Sequence, residues 1–177
     1  MRGRKAAVIA AAATIALLLS AGVAVGAGAQ GAHTVKTEGR GTFVPNGLVQ
    51  ETLHFWPGNI SVKSGGSLTW VASDKSGDPH TISIVTRADW PKTLNQVFHC
   101  GARGTICRRI LKAQFPKGQP PLPVVNVGPP GLDEPGDSLL IAPGHPNTAI
   151  VSAPPGTVLY YMCAIHPWMQ GTITVTG

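Results

Sequence analysis

The chain has 177 residues, with 22 Gly and 16 Pro but only 12% charged and 6% aromatic residues. This excludes a long helical bundle, which needs Ala, Leu, Glu, Lys and Arg at 3.6-residue spacing; here Ala crowds into the first thirty positions and the rest alternates Val, Ile and Thr with turn residues. The net charge of +6 does not mark a nucleic-acid binder, because Arg2, Arg4 and Lys5 precede an apolar run and the other eleven basic residues are scattered, with only Arg108 and Arg109 adjacent.

Arg2, Arg4 and Lys5 form a positive n-region, Ala6 to Val25 an apolar stretch, and Ala27-Gly28-Ala29 a small-x-small cleavage pattern. Residues 1–29 therefore read as a signal peptide, with the mature chain starting near Gln30. An uncleaved signal anchor is the rival, since the run is about as long as the roughly 20 residues that span a bilayer. No Cys follows the run for lipid attachment and no twin Arg precedes it. The expected location is outside the cytoplasm: periplasmic, cell-surface or extracellular.

Residues 30–49 are polar and Gly-rich, an N-terminal arm or edge strand, and 50–177 form the main domain. Its first runs, Glu51–Trp56, Ile60–Lys63 and Ser67–Ala72, are separated by Pro57-Gly58-Asn59 and Ser64-Gly65-Gly66, the spacing of an all-β sandwich. After a loop over Asp74–Pro79, His80–Val85 resumes the alternation, with His80 on the same face as Ile82 and Ile84. That apolar face is the core face, so His80 points inward.

Residues 87–146 break the rhythm and read as an insertion. Thr93–Phe115 has room for one or two short helices, and eight prolines between Gln119 and Pro146 exclude any regular element there. Strands return at Thr148–Ser152, Gly156–Cys163 and Thr172–Thr176. The expected fold is an all-β Greek-key sandwich carrying a long Pro-rich, partly helical insertion.

The chemistry concentrates in Cys163-Ala164-Ile165-His166-Pro167-Trp168-Met169, which places a thiolate, an imidazole and a thioether at three-residue steps. The competing reading is one face of an amphipathic helix, opposed by Pro167, Gly171 and the β-rich flanks. Two His and one Cys in a trigonal set, with a weak axial Met, are the donors of blue copper. The loop lacks one imidazole, and His80 is the candidate. Gln170 is an alternative axial donor to Met169. His33, His54, His99 and His145 read as surface or structural residues.

Asp78-Pro79-His80-Thr81-Ile82 together with Cys163-x-x-His166-x-x-Met169 resembles the cupredoxin family, and the short Cys-to-Met loop is similar to that of amicyanins. The stretch Trp56–Trp70 resembles the strands before the first copper His in plastocyanin-like proteins. The resemblance implies one type 1 copper ion, with His80, Cys163 and His166 equatorial and Met169 axial. It implies a monomeric, non-enzymatic carrier of single electrons, whose redox partner proteins dock near His166, Pro167 and Trp168. Two departures stand out: the insertion has no counterpart in the family, and Thr81 replaces an Asn that braces the ligand loops in many members.

Other function classes fare worse. A copper enzyme or reactor needs an open coordination position, which Met169 opposes, and no His-x-His pairs exist for a multicopper cluster. A copper carrier is expected to expose several Met, whereas only Met162 and Met169 follow the initiator. In an exported chain Cys100 and Cys107 are expected to form a disulfide, leaving Cys163 as the odd thiol. Gly101 and Gly104 supply the break in the helix that bridging requires, and a second metal site with His99 is the rival.

Overall fold

The computed structural model describes residues 33–177; the expected signal segment lies outside them. Two sheets face each other across one core. The first runs, in spatial order, β10 (Asn147–Ile150), β6 (Ser67–Ala72), β1 (His33–Glu38) and β4 (His54–Trp56). The second runs β5 (Asn59–Lys63), β12 (Gln170–Thr176), β11 (Val158–Met162), β7 (His80–Val85), β9 (Ser138–Ile141) and β8 (Val124–Val125). A hairpin of β2 (Gly41–Val44) and β3 (Leu48–Glu51) forms a small sheet of its own.

Period-2 patterning accounts for the sandwich. Leu68 and Trp70 of β6 are buried while Ser67 is exposed, and Ile173 and Val175 of β12 are buried while Thr174 and Thr176 are exposed. Side chains such as Val35, Phe55, Leu68 and Trp70 meet Ile82, Ile84, Tyr161 and Ile173 from the opposite sheet. Each large apolar side chain removed from water contributes roughly 1.5–3 kcal/mol. Tyr161 lies against Phe55 and Trp70, with ring centroids 5.1 and 6.3 Å away, and its hydroxyl donates to the Gly58 carbonyl at 3.0 Å.

The structure departs from the sequence reading in three places. First, β1 is neither arm nor edge: it pairs in parallel with β6 on one side and antiparallel with β4 on the other. Second, the Pro-rich part of 87–146 contributes β8 and β9 to the second sheet, so that part belongs to the core. Off the ladder, a buried carboxylate satisfies the irregular backbone of this segment: Asp137 accepts from the backbone N–H groups of Val127, Asp133 and Glu134 at 2.9, 3.1 and 3.0 Å.

Third, the basic residues are not all scattered, since folding brings Arg103, Arg108, Arg109 and Lys112 around one concavity. They lie on or between two helices, α1 (Leu94–His99) and α2 (Ile106–Gln114). Thr93 and Thr105 cap them, accepting from the N–H groups of Gln96 and Arg108 at 3.3 Å each. The chain breaks over Gly101–Gly104, and Cys100 and Cys107 form the expected disulfide, with Cα atoms 5.4 Å apart. Cys100, Ile106, Cys107 and Ile110 pack on Val85, Met162 and Ala164, in a second apolar cluster. This cover buries Val85 on the outward face of β7, a strand that is buried at every position rather than alternately. Among the described residues, no helix is long and apolar enough to cross a membrane.

Candidate metal centre

β7 and the loop between β11 and β12 build the site. His80 opens β7 and is fully buried; Cys163 follows β11 directly and is fully buried; His166 is 7% exposed. The loop is a series of turns rather than a helix, which removes the helical-face reading. Its neck is closed by two backbone bonds: Cys163 N–H donates to the Met169 carbonyl at 3.0 Å, and Met169 N–H to the His166 carbonyl at 2.9 Å.

Three side chains converge. Cys163 Sγ lies 4.0 Å from His80 Nδ1 and 3.8 Å from His166 Nδ1, and the two Nδ1 atoms are 3.2 Å apart. Among the described residues this is the group of His, Cys and carboxylate donors able to hold a metal ion. Typical bond lengths of about 2.0 Å to imidazole and about 2.3 Å to thiolate place the donors of one shared ion roughly 3.3–3.8 Å apart. The three observed separations match that range to a few tenths of an ångström. A soft thiolate with two imidazoles suits copper in both oxidation states.

Met169 is also fully buried, within the main core cluster that includes Cys163. Gln170, the alternative axial donor, has its amide nitrogen committed: it donates to the carbonyls of Pro91 and Pro167 at 3.0 Å each. His33, His54, His99 and His145 lie outside the cluster and are exposed. Two of them bond backbone carbonyls, His54 through Nδ1 to Thr52 at 2.9 Å and His99 through Nδ1 to Asn95 at 2.7 Å.

The surroundings fix the donors. Cys163 Sγ accepts from the N–H groups of Thr81 and His166 at 3.4 and 3.3 Å. Thr81 does brace the ligand loops: its hydroxyl oxygen accepts from Ala164 N–H at 2.7 Å and from Ser83 Oγ at 2.9 Å. Ser83 is in turn 2.9 Å from Ser138 of β9, so the brace reaches across the sheet. Burial pushes the Cys163 thiol above its ordinary range, although the N–H groups of Thr81 and His166 oppose this. A metal entering the site therefore displaces the thiol proton. Burial, and then the neighbouring His80, lower the pKa of His166, while Asp78 and Asp74 oppose them. The net effect keeps its imidazole neutral, as a metal ligand must be.

The roles of two carboxylates in the loop before β7 escape the sequence reading, because Asp in a Ser/Gly-rich stretch signals no more than a turn. Asp74, whose side chain is 2% exposed, accepts from His80 Nε2 at 2.8 Å. Asp74 is held by the Ser76 N–H at 2.9 Å and by the Thr37 hydroxyl from β1. With Nε2 donating to a carboxylate, the free electron pair of His80 is on Nδ1, the atom facing the other donors. Asp78, half-exposed, lies 3.7 Å from His166 Nε2. Trp168 stacks edge-on against the His166 ring at 5.2 Å between centroids.

No family model matches the chain and no curated protein does. Solved structures with similar folds include a purple cupredoxin from Nitrosopumilus maritimus, 17% identical with a TM-score of 0.43, over 81% of this chain and 99% of that one. A reduced auracyanin from Roseiflexus castenholzii is 15% identical with a TM-score of 0.40, over 82% of this chain and 98% of that one. An amicyanin from Paracoccus versutus is 11% identical with a TM-score of 0.39, over 82% of each chain. What the site can hold is read from its own donors.

Proposed function

We propose that this is an exported, monomeric type 1 copper protein that carries single electrons between redox partners. His80, Cys163 and His166 would hold the ion, with Met169 as the fourth donor. The observation that carries this reading is the convergence of His80 Nδ1, His166 Nδ1 and Cys163 Sγ at one buried point. Copper bound there would accept and release one electron by cycling between Cu(II) and Cu(I).

The chain's own part is to resist rearrangement. Asp74 holds the His80 ring from behind, Thr81 ties β7 to the Cys163 loop, and the backbone bonds at the neck hold Met169 against Cys163. Ligands that stay in place suit both oxidation states, so little reorganisation accompanies each transfer. Two N–H groups on the sulfur and a buried thioether exclude water and tune the potential. His166 lies nearest the surface and, beside Pro167 and Trp168, marks the route by which electrons enter and leave.

Visible absorption tests the ligand set. Adding Cu(II) to the wild-type protein should produce one intense thiolate-to-copper band, bleached by ascorbate and restored by an oxidant. Cys163→Ser should remain folded and lose the band. A band of undiminished strength in that variant would overturn the assignment.

A further inference from the structure

We propose that the disulfide-clasped pair α1–α2 is a docking platform for an acidic redox protein, an inference that rests on the electron-carrier reading above. Six basic residues, Lys92, Arg103, Arg108, Arg109, Lys112 and Lys117, fall between Trp90 and Leu132, a span with no Asp or Glu. Four of them, Arg103, Arg108, Arg109 and Lys112, surround one concavity. No carboxylate pairs with any of the four among the described residues. Unpaired cations gathered on one element create a local field that steers anionic partners.

The cationic face adjoins an apolar one. Leu94 and Phe98 of α1 are 68% and 75% exposed, Val49 of the β2–β3 hairpin is 73% exposed, and Trp168 of the ligand loop is 38% exposed. These four, with Val97, line a single groove. A second groove joins Phe98, Gly101 and Leu111 to Ile165, Pro167 and Trp168, and Gly101 also borders the basic concavity. One continuous surface thus runs from the arginines across α1 to the residues beside His166. An apolar centre with a charged rim is the form of a transient protein interface.

Two features favour a protein over an anionic membrane as the occupant. The groove ends at the ligand loop, where a partner gains by close approach to His166. Glu51 in the groove and Asp78 beside His166 would repel a uniformly anionic surface, whereas a protein can be acidic only where it meets α2.

The test is an amide-resolved magnetic resonance titration of the Cu(I)-loaded protein, and in parallel of the metal-free protein, with an oxidised acidic flavodoxin as probe. Shifts should concentrate at Val97, Phe98, Arg108, Arg109, Lys112 and Trp168 and should shrink as salt is raised. The double variant R108E/R109E should weaken binding about tenfold or more, while K36E/K63E, with the same change in net charge, should stay within about twofold. Equal losses in both variants, shifts centred elsewhere, or tighter binding to phosphatidylglycerol vesicles than to flavodoxin would overturn the proposal. Because the metal-free protein carries the same surface, docking fails or succeeds independently of whether copper gives the intense visible band.

Discussion

Asp74 shows how one residue connects the fold to the metal site. Its burial pushes the carboxyl up, but the Ser76 and Thr37 hydroxyls, the Ser76 N–H and His80 outweigh this and bring its pKa from 3.8 down to about 2. A carboxyl depressed in the folded state stabilises the protein above its unfolded pKa. In the metal-free protein Asp74 should contribute about 2 kcal/mol at neutral pH, fully present above about pH 4 and lost as pH falls through about 2. Denaturation of wild type and Asp74→Asn across that range should show the difference vanish in acid. At neutral pH the variant should be less stable by roughly 1.5–3 kcal/mol. It should also raise the copper reduction potential, since His80 loses the carboxylate that makes it a stronger donor. An unchanged potential in voltammetry would show that Asp74 only supports the fold. Thr81→Val should leave the Ala164 N–H unpaired in a buried place and cost roughly 1–3 kcal/mol, with a broadened visible band as the loop loosens.

At the scale of elements, the turn out of the ligand loop is the tightest constraint. A Cβ on Gly171 would collide with the Gly58 carbonyl and with the Tyr161 ring and hydroxyl. Gly171→Ala should therefore destabilise by roughly 1–3 kcal/mol, read as a fall in the thermal midpoint, and reduce copper occupancy because β12 carries Gln170 directly after Met169. Cys100→Ser/Cys107→Ser should lose about 2–3 kcal/mol by the loop-closure relation. Its visible spectrum should not change, since the disulfide supplies no donor; a shifted band would mean that the helical pair sets the geometry of the site.

Strands that alternate strongly are legible in the sequence itself: β6 with Leu68 and Trp70, β7 with Ile82 and Ile84, β12 with Ile173 and Val175. β1 is not, because Thr37, polar by type, is buried and bonded to Ser73 and Asp74 instead of facing solvent. β8 and β9 are hidden because they are two and four residues long and flanked by prolines, and because the irregular backbone between them is held by a buried side chain, Asp137, rather than by a ladder. Cys163, His166 and Met169 stand out because their spacing lies in one loop. Asp74 does not, because nothing local distinguishes a buried carboxylate from a turn former.

The molecule as a whole is a two-layer sandwich with its donors at one end. The helical pair sits on the outer face of the sheet that carries the donors, and the other sheet, through β1, supplies Thr37 to the network behind His80. The arrangement holds a preformed site while leaving His166 close to an exposed apolar groove. Charge is divided likewise, with the helical pair basic and the loop before β7 acidic. The most direct test of the account is a paramagnetic resonance spectrum of the protein loaded with one equivalent of Cu(II). A single copper species with narrow hyperfine splitting, the mark of a covalent thiolate ligand, should appear and be silenced reversibly by ascorbate. A wide splitting typical of nitrogen and oxygen ligands would contradict it, by showing that Cys163 does not bind the metal and that the site is not one for type 1 copper.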